Sequence, residues 1–71
     1  MDGLDEAELR ERVRHALVQL SETQRDVIVL RHFAEMSYDE IATTLGVPEK
    51  TVKSRLFSAR QRLYDILSAR T

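Results

Sequence analysis

The residues richest in chemistry lie between Pro48 and Arg62. One acid, Glu49, stands there against five bases, Lys50, Lys53, Arg55, Arg60 and Arg62, interleaved with Thr51, Ser54, Phe57, Ser58 and Gln61. A helix turning ~100° per residue sorts this run into two faces. Val52, Leu56, Ala59, Leu63, Ile66 and Leu67 gather on one face and belong against a core. Lys50, Ser54, Phe57, Ser58 and Gln61 fall opposite. Lys53 and Arg60 border that outer face on one side, and Thr51, Arg55 and Arg62 border it on the other. A polar centre with cationic borders suits a helix lying in the major groove of duplex DNA. The centre meets base edges and the borders meet phosphates. Lysine can donate to guanine, serine to any base, and an aromatic ring can touch a thymine methyl. Phe57 is the odd residue on this face, because a large apolar side chain turned to solvent needs a reason. It fits contact with a base or sugar, packing against Lys53 or Gln61, or contact with a partner protein.

A basic helix face is also an ordinary way to stay solvated. Such faces usually carry acid–base pairs four residues apart. Here only Glu49 and Lys53 have that spacing, and the other bases lack an acid so placed. Catalysis has little to work with. His15 and His32 have no second His or Cys at ligand spacing, and the chain holds no cysteine. Asp39 and Glu40 are adjacent and so diverge on a helix, where capping is the simpler account. Ser54 and Ser58 have no base placed to activate them, and no glycine-rich phosphate loop is present. The expectation is a binding module and not an enzyme, with no catalytic residues, cofactor, metal or small-molecule substrate.

The elements that must present this face read as four helices and no strand, an all-α chain. The first spans roughly Asp5 to Gln19, with Leu9, Val13, Ala16, Leu17 and Leu20 at helical spacing and acids crowding its start. The second spans roughly Glu22 to Ala34. Ser21 and Gln24 form a capping box before it, and Val27, Ile28, Val29, Leu30 and Phe33 make it apolar on more than one side, as befits a central post. The third is short, roughly Tyr38 to Leu45, with a second capping box from Ser37 and Glu40 and a stripe of Ile41, Ala42 and Leu45. Gly46 ends it in the left-handed conformation that glycine allows. The fourth begins at Pro48 and runs to about Ser68. A short helix, a tight turn through Gly46 and a longer basic helix make a helix-turn-helix over about residues 38–63, with Val47 packing under the turn. The fold expected is a four-helix domain with a three-helical core of the winged-helix-like type and no wing, spanning residues 1–71 as one unit.

With 71 residues the chain holds one small domain at most. It is 42% hydrophobic and 32% charged, a globular balance. Its formal net charge of -1 argues at first against nucleic acid. The distribution argues the other way. Residues 1–36 carry eight acids against five bases, and residues 37–71 carry four acids against six bases. Local clustering sets the field a ligand meets. The longest apolar run is Val27 to Leu30, too short for a membrane span, and the N-terminus lacks a signal-peptide pattern. A cytoplasmic location without membrane contact is expected.

The run Ser37-Tyr38-Asp39-Glu40-Ile41-Ala42, then Leu45-Gly46-Val47, then Thr51-Val52-Lys53-Ser54-Arg55-Leu56, with Ala59-Arg60 and Arg62-Leu63, resembles a known family. So does the upstream block Leu20-Ser21-Glu22-Thr23-Gln24-Arg25-Asp26-Val27 with Leu30-Arg31 and Phe33. The chain is similar, from Leu9 to Leu63, to region 4 of bacterial sigma-70 type sigma factors of the extracytoplasmic-function class. That resemblance implies recognition of the promoter -35 element as double-stranded DNA. It also implies docking on the β flap of the RNA polymerase core and, in many members, capture by an anti-sigma factor. By position it implies that Lys53, Ser54 and Phe57 face bases, with Lys50 and Ser58 on the same base-facing side. Ser37, Tyr38, Thr51, Arg55 and Arg60 would serve phosphates, and Lys50 is also placed to do so, some of them through helix N-terminal amides. Ser58 departs from the pattern, since many relatives place a basic residue there, and this points to a different -35 sequence. The family's region 2, which melts the -10 element, has no counterpart in these residues, so recognition without promoter opening is the expectation. The competing readings are the DNA-binding output domain of a LuxR-type response regulator, which shares a stretch like Glu49-Lys50-Thr51-Val52-Lys53, and a helical adaptor that binds protein through the second helix and Phe33.

Overall fold

The computed structural model describes residues 5–69, and every regular element among them is helical. Helix α1 spans Glu6–Leu17, α2 Glu22–Ile28, α3 Tyr38–Leu45 and α4 Glu49–Ser68. A π-helical turn, Val29–Phe33, extends α2. The all-α helix-turn-helix architecture is therefore present.

Local chemistry explains where the helices start. Each of the first three opens on a reciprocal capping box that satisfies two backbone N–H groups at once. Ser21 Oγ accepts from Gln24 N–H at 3.2 Å and Ser21 N–H donates back to Gln24 Oε1 at 3.1 Å. Ser37 and Glu40 repeat the arrangement at 3.1 and 2.8 Å. Asp5 and Glu8 form a third box, which the sequence reading passed over in treating the acids there only as partners of the helix dipole. Asp5 is thus the cap of α1 and not its first residue. Helix α4 has Pro48 as its N-cap, in extended conformation and with no side-chain cap bond.

The core is a single cluster. Val27 and Ile28 of α2, Ile41 and Ala42 of α3, and Val52, Leu56 and Ala59 of α4 are buried together with Leu20. Leu17, Met36, Leu45, Val47 and Ile66 pack on its edge, so Val47 does join the turn to the core. No polar or charged residue among those described is buried. Such a thin core leaves some apolar residues in solvent. Leu9 is 52% exposed and Phe33 60%, so the inward stripe of α1 begins later than Leu9.

The second helix differs from its expected course. It does not continue as an α-helix to Ala34, because from Val29 the ladder widens and Ala34 N–H reaches back five residues to Val29 C=O at 3.0 Å. A π-turn admits an extra residue per turn and swings the side chains that follow. Glu35 then takes a left-handed φ of 56°, and Met36 N–H closes on Leu30 C=O at 3.0 Å. The Arg31 guanidinium holds the exit, donating from Nη1 to Met36 C=O at 2.8 Å.

Candidate nucleic-acid interface

Gly46 carries the turn of the helix-turn-helix. It sits at φ 70°, ψ 37°, the left-handed region, and its N–H bonds to Ala42 C=O at 2.9 Å. Val47 N–H bonds to the same carbonyl at 3.0 Å. The chain therefore reverses within Gly46 to Pro48, and the first turn of α4 buries Val52 while leaving Glu49 and Lys50 exposed.

Burial of Val52, Leu56 and Ala59 fixes the rotation of α4. Lys50, Lys53, Ser54, Phe57, Ser58, Arg60 and Gln61 are then all exposed, and Phe57 is 67% exposed. Thr51 and Arg55, on the opposite border, are half-buried, while Arg62 beside them is exposed. The structure thus leaves open the whole face that the sequence assigned to base contact. Phe57 packs under nothing, so its ring is presented with the polar residues around it.

The two borders differ. On the Lys53–Arg60 side, other elements contribute. The Tyr38 ring, half-buried at the start of α3, lies under two cations, with Arg31 Cζ 4.9 Å and Lys53 Nζ 5.9 Å from its centroid. Contacts of this kind hold a cation in place over an aromatic face. Further along, Arg60 Nη2 lies 3.2 Å from His32 Nε2. Arginine can only donate, so His32 accepts at Nε2 and carries its proton on Nδ1. Desolvation, then the charges of Arg60 and Arg31, hold the His32 imidazolium below its ordinary pKa. Ser37 uses its hydroxyl oxygen to cap α3 and keeps its own proton free to donate. Arg31 and His32 were not among the residues expected from sequence to contact DNA. His32 and Arg60 are 28 residues apart, and no local pattern joins them.

Composition, turn and exposed face all agree with the profile of the sigma-70 region 4 family, which matches residues 10–63. The chain belongs to that family. It is 49% identical over 51 residues to the RNA polymerase sigma-E factor of Streptomyces coelicolor, covering 72% of this chain and 29% of that protein. It is 41% identical over 56 residues to the ECF RNA polymerase sigma-E factor of Salmonella typhimurium, covering 79% of this chain and 29% of the relative. The RNA polymerase sigma-H factor of Pseudomonas aeruginosa is 39% identical over 56 residues, with the same two coverages. These matches make the chain a region 4 domain of the extracytoplasmic-function class. It spans less than a third of the length of these relatives.

The rest of the surface bears on other roles. Val13 and Leu17 of α1 and Phe33 of the π-turn line an apolar groove rimmed by Arg10 and Arg14. Among the described residues no cluster of acids and histidines is arranged to hold a metal. None of the described helices is long and apolar enough to cross a membrane.

Proposed function

We propose that this domain recognises the -35 element of a promoter as duplex DNA, with α4 in the major groove, on behalf of an RNA polymerase sigma factor working in the cytoplasm. The observation that carries the reading is the exposed face of α4, polar at its centre and cationic at its borders, on a helix whose rotation the core fixes. Lys53, Ser54 and Phe57 lie in the N-terminal half of α4 and meet bases, with Lys50 and Ser58 on the same side. Ser37, Tyr38, Thr51, Arg55 and Arg60 hold phosphates. The Glu49 and Lys50 amides, left without a side-chain cap, add donors for an anion at the start of α4. The role is binding and not catalysis.

The sigma-factor reading also gives the domain protein partners, the β flap of the polymerase core and an anti-sigma factor. The groove of Val13, Leu17 and Phe33 supports a contact of that kind, because it is apolar, open and lined by none of the residues assigned to DNA.

One recognition helix makes few contacts, so the isolated domain should bind in the non-specific range of about 10⁻⁴–10⁻⁶ M. The test is selection of duplexes from a random pool by the domain fused to a dimerising tag. Enrichment of one short asymmetric motif supports the reading. A palindrome bound by the untagged domain as a dimer points instead to a response-regulator output domain. A pool that stays flat, together with capture of the polymerase flap, leaves only the protein-binding role.

A further inference from the structure

Three cations, Lys53, Arg31 and Arg60, and the imidazole of His32 gather along one border of α4, and Arg31 and His32 come from outside the helix-turn-helix. Lys53 and Arg31 share the Tyr38 ring, and Arg60 meets His32. Lys53 and Arg60 are seven residues apart and therefore occupy almost the same angle on α4, two turns from each other. Arg31 and His32 both belong to the π-turn, and His32 meets Arg60 of α4.

Resting on the DNA-binding reading above, we propose that His32 and Arg60 form a clamp for one backbone phosphate, and that the imidazole takes up a proton when the phosphate binds. His32 is exposed, so a phosphate can reach it. In the free domain its Nε2 lone pair accepts from Arg60 and the ring is neutral. An arriving phosphate gives Arg60 a better acceptor. It also gives His32 a counter-charge, and protonated Nε2 then donates to the same anion.

The groups facing His32 favour this division of labour. Arg31 and Glu35 from its own segment line the open depression beside it. Arg60 faces it from α4, and Tyr38 of α3 stands behind Arg31. Glu40 of α3 is turned back onto Ser37. No carboxylate among the described residues lies within salt-bridge distance of His32, Arg31 or Arg60. Among the described residues this corner therefore holds no paired carboxylate, Glu35 being the one acid that lines the same depression, and Arg60 and Arg31 depress protonation of His32 until an anion arrives.

A phosphate contact is blind to sequence, so the test uses a labelled duplex of mixed sequence at low ionic strength. Its affinity is measured from about pH 8 to about pH 5 for the wild type, His32→Ala, His32→Arg and His15→Ala. The ratio of wild-type to His32→Ala affinity is expected to grow as pH falls, reaching roughly tenfold near the acid end, within the limit of one decade per pH unit for one proton. There the wild-type salt slope should exceed that of His32→Ala by about 0.9. His32→Arg should bind near pH 8 as the wild type binds at low pH, and His15→Ala should keep the wild-type profile. Parallel pH profiles for the wild type and His32→Ala overturn the proposal and leave DNA binding intact, as they would if Glu35 neutralised the new charge. Failure of the wild type to bind any duplex overturns the DNA reading itself, and this proposal with it.

Discussion

Among the described residues two occupy the left-handed backbone region, one a glycine and one not, and they should respond to substitution with opposite signs. Gly46 is at φ 70° and Glu35 at φ 56°. A Cβ added at Gly46 meets nothing within 4 Å, so Gly46→Ala carries no steric clash and only the backbone term. For an L-residue that term is about 1–2 kcal/mol. The unfolded chain of the alanine variant is stiffer, which returns about 0.4–1 kcal/mol. The net expected loss is about 1 kcal/mol. Gly46→Asn should lose less, because asparagine tolerates this region, and the β-branched Gly46→Val should lose more. Glu35→Gly runs the same ledger backwards and should gain a few tenths to about 1 kcal/mol. For a domain of this size, 1 kcal/mol moves the melting temperature by about 4–8 °C, well within reach of circular dichroism. A Gly46→Val variant that melts like the wild type, or Glu35→Gly and Gly46→Ala shifting in the same direction, would refute the claim that backbone conformation sets the balance at these turns.

Three further outcomes are expected. Lys53→Ala and Phe57→Ala should each lower affinity for a selected duplex by about 1–3 kcal/mol and relax base preference, measured by competition among single-base variants; an equal loss on every sequence would reassign Lys53 to phosphate. Ser37→Ala removes the hydroxyl that accepts from Glu40 N–H and should cost about 1 kcal/mol of stability by urea titration. Folding also depresses the pKa of His32. The contribution of this group is therefore complete above the ordinary imidazole value of about 6.5 and shrinks as pH falls below it. The wild type should lose more melting temperature than His32→Gln between about pH 8 and about pH 5.

The sequence made the helix-turn-helix legible because its signals are local. The Ser37–Glu40 spacing, Gly46 and Pro48 each act within a few residues, and the apolar stripe of α4 records which side the core takes. The π-turn was not legible, for a physical reason. Val29, Leu30, Arg31, His32 and Phe33 read as a plain helix, and the widened ladder is fixed by closure of Met36 on Leu30 and by the guanidinium of Arg31 on Met36. A positive φ at Glu35 carries no residue signature, since glutamate is not a residue that prefers it. His32 showed in the sequence only the lack of a second His or Cys at ligand spacing, because its partner comes from α4 and only the tertiary fold brings them together. The exposed face of α4 could be drawn from periodicity, whereas the contribution of α3 and the π-turn to one of its borders could not.

A domain of net negative charge can still present a cationic face to a polyanion, and the fold accounts for this by distance. The acids of α1 are concentrated from Asp5 to Glu11. That helix lies against the far end of α4, where Glu11, His15 and Ala16 share a surface depression with Ile66 and Leu67. From Lys53 to Ile66 the helix climbs about 20 Å at 1.5 Å per residue. At physiological ionic strength the screening length is about 8 Å. The repulsion between the acidic helix and a phosphate backbone at Lys53 is thus damped over more than two screening lengths, while Lys53, Arg31, His32 and Arg60 act at contact. Lowering the ionic strength lengthens the reach of those acids and of the bases together, so the salt dependence of DNA binding should follow the number of contacting cations and not the net charge. Neutralising Glu6 and Glu8 with glutamine would then leave that slope unchanged. A change in slope comparable to losing Lys53 would mean that the whole-molecule charge governs binding, and the local argument for this face would fail.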